Sequence, residues 1–168
     1  MKTLLLRTLT IALLASLAGC GFALRGSINL PEEWRDIYLV SASPNSELST
    51  AVRDGFQSND VAVTDRATAN YIIYLGNEVS ERRNITIGNN ARAAEFELKM
   101  STSLSITDSK GEEVMAEIDL ATQKIMTHDP ENVTGKVEES RLLQREMRQE
   151  LAQMVLRQVR FLATAPPK

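Results

Sequence analysis

The sequence predicts an α+β fold: a two-layer sandwich with two helices on one face of a four-stranded, mostly antiparallel mixed sheet. Three observations predict it. The patterns along the chain read strand, helix, strand, strand, strand, helix. Between Ala94 and Asp108, apolar Phe96, Leu98, Met100, Leu104 and Ile106 alternate with polar residues, giving a strand with one dry and one wet face. Between Lys136 and Leu162, Leu143, Met147, Leu151, Val155, Val159 and Leu162 recur at spacings of three and four, the stripe of an amphipathic helix. One apolar sheet face and two apolar helix stripes have to cover each other, and two layers do this with the fewest elements.

Each element follows in order. Arg35 to Val40 is rich in β-branched and aromatic residues and predicts the first strand. Ser43-Pro44-Asn45-Ser46 offers turn and N-cap chemistry, and Leu48, Ala51, Val52, Gly55 and Phe56 then share one face of a helix. Tyr71 to Val79 predicts a second long strand, with Tyr71, Ile73, Leu75 and Val79 on one face. This strand-helix-strand unit predicts a parallel pair joined by a right-handed crossover. Glu81 to Arg92 breaks the pattern and reads as a tip between strands, holding Arg82, Arg83 and Arg92 beside Ile85 and Ile87. Ala94 to Asp108 follows, about 45 Å of extended chain. Asp108-Ser109-Lys110-Gly111 predicts a hairpin, and Glu112 to Thr127 returns with Val114, Ala116, Ile118 and Leu120 on one face. Ile125 falls out of that alternation, which predicts a bulge near Ala121 to Gln123. His128-Asp129-Pro130-Glu131 turns the chain into the last helix, and Ala163 to Lys168 is a tail.

Composition narrows the function. About 150 residues after a leader make one domain with a sizeable core. The formal charge is −3 for the chain; the leader carries Lys2 and Arg7 and no acid, so −5 remains after its removal. An acidic balance argues against a nucleic-acid partner. Cys20 is the only cysteine, so neither an internal disulfide nor a thiolate metal cluster can form.

The N-terminus has the form of an export signal. Lys2 and Arg7 precede an apolar run from Leu9 to Leu17, too short to span a bilayer, and small residues follow at Ala18 and Gly19. Leu17-Ala18-Gly19-Cys20 resembles the lipobox of bacterial lipoproteins. That resemblance implies cleavage after residue 19 and a Cys20 carrying S-diacylglycerol and N-palmitoyl groups, enough acyl chains for stable anchoring. Gly21, where an aspartate would signal inner-membrane retention, implies the outer membrane. The expected organisation is a leader over 1–19, a lipidated anchor and linker over 20–34, one domain over 35–162 and a flexible tail over 163–168.

No set of residues nominates catalysis. His128 is the only histidine and has no partnered nucleophile in the sequence. Gly88-Asn89-Asn90 lacks the spacing and lysine of a phosphate loop. Glu95 and Glu97 share a wet sheet face with their neighbours rather than forming an acid-base pair. Arg82, Arg83 and Arg92 place three guanidinium forks, suited to bidentate phosphate recognition, near one tip of an acidic protein.

Cys20-Gly21-Phe22-Ala23-Leu24-Arg25-Gly26 resembles the mature N-terminus of the lipopolysaccharide-assembly lipoprotein family (LptE). The Ala94-Glu95-Phe96 strand, the Asp129-Pro130 turn and Arg145-Glu146-Met147 in the final helix extend the resemblance over nearly all of the mature chain. It implies a non-enzymatic lipoprotein that plugs the outer-membrane β-barrel LptD, assists its assembly and binds lipopolysaccharide on the way to the outer leaflet. It implies lipopolysaccharide binding by Lys136 and by a basic position near the strand tip, where this chain has Asn89 and offers Arg92, Arg82 or Arg83 instead. The alternatives are a periplasm-facing scaffold that binds cell wall or peptide, and an envelope hydrolase.

Overall fold

A computed structural model describes residues 30–87, 93–127 and 133–165. Cys20, the linker up to Asn29, Gly88 to Arg92 with its predicted turn, the His128–Glu131 turn and the last three residues lie outside this range. A single turn of 3₁₀ helix over Glu32–Trp34 leads into β1 (Asp36–Ser41), α1 (Glu47–Gln57), β2 (Ala62–Val63), β3 (Tyr71–Leu75), β4 (Val79–Ile87), β5 (Ala93–Asp108), β6 (Glu113–Thr127) and α2 (Val133–Thr164).

The sheet has six strands where the sequence predicts four. β1 pairs in parallel with β2 on one side and β3 on the other. β5 runs antiparallel to β6 along one edge, while its other edge is shared by β3 and β4 in succession. Leu75 lies opposite Leu104 and Val79 opposite Ser101, so Gly76, Asn77 and Glu78 occupy the space of two β5 residues. β3 and β4 are thus one long strand broken by a bulge, and β2 is a two-residue addition at the far edge. Together these raise the count to six.

The bulge also changes which face each side chain takes. Tyr71, Ile73 and Leu75 face the helices as expected, but the inserted residue turns Val79 outward, where it is exposed. Gly76 fits the bulge because it has no side chain: a Cβ there would lie 2.3 Å from Ser103 Oγ and 3.1 Å from the Ser103 backbone nitrogen. Its amide donates to the Ser103 carbonyl at 2.9 Å, and Thr102 Oγ1 donates to its carbonyl at 3.1 Å. Most of the stretch read as a tip, Glu81 to Ile87, is therefore strand β4.

The predicted bulge at Ala121–Gln123 is absent, because pairing is regular from Leu104–Ile118 through Glu95–Thr127. The irregularities lie upstream, where Ile106 meets Met115 and Thr107 meets Glu113. Ile125 opposes Glu97 on the outer face and stands exposed, which accounts for the slip in alternation. The β5–β6 hairpin turns as expected: Asp108 Oδ1 accepts from the Lys110 and Glu112 amides, and Gly111 takes a φ of +88°.

Both helices pack into one core with the same sheet face. Ser46 caps α1, its hydroxyl accepting from the Ser49 amide at 3.1 Å, and Leu48, Val52 and Phe56 are buried. In α2 the buried residues begin at Met147 and continue through Leu151, Val155 and Val159. They meet Ile37, Ile73, Leu104 and Ile106 in one cluster. Leu30 and Trp34, inside the stretch read as linker, are also buried in this core, and Trp34 stacks on Tyr71 with ring centroids 3.7 Å apart. That burial, with Glu33 and Asp108 nearby, raises the Tyr71 phenol above its usual pKa.

The pairing fixes two ends. The starts of β1, β3 and β6 and the end of β5 lie together at a proximal end, the side from which Leu30, the first described residue, leads into β1. The end of β4, the start of β5, the end of β6 and the first described turns of α2 lie at a distal end, one β5 length away, about 50 Å.

Candidate functional site

The distal end is built from β4, the first half of β5, the end of β6 and the first turns of α2. Because β4 is a strand, neighbouring residues point to opposite faces. Arg82 lies opposite Leu98 on the helix side, with its guanidinium carbon 3.6 Å from the centre of the Phe96 ring. The contact is a cation–π interaction between the guanidinium and the ring. Arg83 lies opposite Glu97 on the outer face, its Nη2 2.9 Å from a Glu97 carboxylate oxygen, and its side chain is 74 % exposed. The structure therefore separates the two arginines that the sequence places together. Arg92 is outside the described residues.

Lys136, in the first turns of α2, joins this end from the other side. Its Nζ donates to Thr127 Oγ1 at 3.2 Å, beside the last residue pair of β6, and to Glu139 at 2.7 Å. The sequence reading missed Lys124. It faces the helices opposite Leu98, so Arg82, Leu98 and Lys124 form one row across three strands. The parity of β6 downstream of its bulge is the signal that places it there. Lys124 donates to Glu150 of α2, which also accepts from Thr122 Oγ1 at 2.5 Å. The hydrogen bond from Lys124, then that from Thr122, lowers the Glu150 pKa, and the bond to Glu150 raises that of Lys124.

A second ionic clamp fixes the base of this distal blade. Arg148 Nε donates to both Glu78 oxygens at 2.8 and 3.0 Å, and its Nη1 donates to Glu47 at 2.7 Å. One side chain of α2 thereby ties the β3–β4 bulge to the first turn of α1.

The outer sheet face is not uniformly polar as the sequence suggests. Glu81, Arg83, Glu97, Lys99 and Gln123 line a shallow cleft of about 280 Å³ in its distal half. In the proximal half, Ile72 and half-buried Tyr38 and Tyr74 share that face, next to Thr107, whose hydroxyl is buried without a hydrogen-bond partner. Among the described residues no group of three or more acids or histidines is placed to hold a metal, and no helix is long and apolar enough to cross a membrane.

Comparison with known proteins bears on this arrangement. The sequence profile of the LptE family, described as lipopolysaccharide-assembly, matches residues 34–159. The LPS-assembly lipoprotein LptE of Pectobacterium atrosepticum is 27 % identical over 144 residues, covering 84 % of this chain and 77 % of that protein. The protein of the same name from Yersinia pestis is 28 % identical over 154 residues, covering 90 % and 73 %. Among solved structures, the rare lipoprotein B of Shewanella oneidensis superposes with a TM-score of 0.66 at 25 % identity, covering 74 % of this chain and 92 % of that one. A lipoprotein B from Nitrosomonas europaea shares the fold, with a TM-score of 0.73 at 21 % identity and coverage of 86 % and 94 %. The shared family is one of assembly lipoproteins and not of enzymes. With three quarters of its length inside the family profile and the family's α+β fold around it, the chain belongs to the lipopolysaccharide-assembly family LptE.

Proposed function

We propose that the chain is an outer-membrane lipoprotein anchored through acylated Cys20, which plugs the β-barrel LptD, assists its assembly and binds lipopolysaccharide during delivery to the outer leaflet. Family membership supports the setting. The observation that carries the finer reading is the spread of cations around the distal end, about 50 Å from the proximal end. Arg82, over the Phe96 ring, and Arg83, paired with Glu97 but 74 % exposed, offer guanidinium groups to the phosphates of a glycolipid. Lys136 adds an ammonium from α2, and Arg92 directly precedes the first residue of β5 in sequence. The polar cleft and the exposed Ile125 and Val79 on the outer face offer a broad surface to a barrel wall.

The test has two parts. After detergent extraction, the protein should co-purify with an approximately equimolar barrel, and recovery as a lone lipoprotein would reject the plug. In a lipopolysaccharide pull-down, Arg92→Glu combined with Lys136→Glu should weaken binding while the circular dichroism spectrum is unchanged. Unaltered binding by that variant would remove those two residues from the site.

A further inference from the structure

The last turns of α2 carry a feature that neither the core nor the distal end uses. Gln153, Arg157, Arg160, Phe161 and Thr164 fall at i, i+4, i+7, i+8 and i+11, one outward stripe, and all five are exposed. Phe161 is the most exposed large apolar residue described, at 73 %. From Leu151 to Thr164 the helix has no acid, and its only charges are Arg157 and Arg160.

The position of the stripe follows from the pairing. α2 starts beside Thr127 at the end of β6 and crosses Thr122 and Lys124 at Glu150, so it runs antiparallel to β6. Its last turns therefore lie at the proximal end, the side on which the described chain starts at Leu30. Only the nine residues from Gly21 to Asn29 separate an acylated Cys20 from Leu30, a reach of at most about 35 Å.

We propose that this stripe is a membrane-surface contact: Phe161 enters the headgroup–acyl boundary, Arg157 and Arg160 pair with lipid phosphates, and the domain is held at a defined angle to the bilayer that anchors it. Cations flanking an exposed aromatic ring are the composition that binds an anionic interface. Glu32, Glu33, Glu112 and Glu113 at the same end sit on other elements, which confines an anionic-surface contact to α2. The inference rests on the proposed anchor at Cys20.

A nitroxide on Thr164→Cys tests it, since Cys20 is the only native cysteine and its thiol is blocked when acylated. The full acylated chain is placed in phosphatidylcholine vesicles containing phosphatidylglycerol, and the label's collisions with oxygen and with a water-soluble nickel chelate are compared. The label at 164 should favour oxygen, whereas one at Gln123→Cys on the distal outer face should favour nickel. Neutralising each arginine should lower the ratio of docked to undocked protein roughly fivefold, so Arg157→Glu with Arg160→Glu should lower it at least about twenty-five-fold. Mass spectrometry of the same sample separates the two ways of failing. An unmodified Cys20 removes the tether and the inference with it, while an acylated protein whose label at 164 stays in water refutes the contact alone.

Discussion

Arg148→Ala, measured in a double-mutant cycle with Glu78→Ala, probes how the distal blade is held to the helices. Arg148 and Glu78 side chains are 20 % and 15 % exposed, and the Arg148 Nε bridges both carboxylate oxygens. At an effective dielectric of about 20 the gross attraction is about 4 kcal/mol at 4 Å. Desolvation of two largely buried groups removes part of it, and hydrogen bonds to charged groups contribute about 1.5–3 kcal/mol net. The coupling energy should therefore be about 2 kcal/mol. Glu47, 71 % exposed, adds only about 0.5 kcal/mol to the single mutant. Arg148→Ala alone should cost about 3 kcal/mol, because it also strands the Glu78 charge. Urea unfolding of the chain expressed without its leader, followed by circular dichroism, gives all four corners of the cycle. A coupling below about 0.5 kcal/mol would mean that the clamp behaves as a surface pair, and the account of how the bulge is held would be wrong.

Other outcomes follow from single contacts. Gly76→Ala should lose about 1–3 kcal/mol in the same unfolding assay, because the new Cβ meets the Ser103 backbone, which cannot move aside. The Glu150–Lys124 bridge sets a pH dependence at the extremes. Glu150 is depressed below its usual 4.5, so its contribution is complete above about that pH and fades as pH falls through its lowered value. Lys124 is raised above 10.5, so its contribution is lost only as pH rises through that higher value. The stability gap between the native chain and Lys124→Met should be flat across neutral pH and shrink in acid, which a pH series of denaturation midpoints would show. Glu97→Gln, which releases the exposed Arg83 from the Glu97 carboxylate, should strengthen lipopolysaccharide capture in a pull-down; weaker capture would exclude Arg83 from the site.

The fold class was legible because the longest elements are strongly periodic. The alternation of β5 and the stripe of α2 each fix a buried face, and the boundaries observed lie within a few residues of those expected. What could not be read was register. One extra residue among Gly76–Glu78 reverses every facing downstream, so Val79 looks like core in sequence and is exposed in the fold. The separation of Arg82 from Arg83 is hidden because Glu81 to Arg92 reads as a tip and not as a strand, and the inward facing of Lys124 because it depends on where a bulge falls. β2 has two residues, too few for any periodic signal, and exists only because β1 offers an edge. Trp34 stacks on the ring of Tyr71 far along the chain, a contact that local pattern does not show.

Site-specific photocrosslinking in cells tests the central claim most directly. A photoreactive side chain at Asn84, on the distal helix side beside Arg82, should form adducts with lipopolysaccharide. The same group at Ile125 on the outer face should capture the barrel, and one at Asp60, away from the distal end, should give no lipopolysaccharide adduct. Lipopolysaccharide adducts at Asp60 with none at Asn84 would contradict the account.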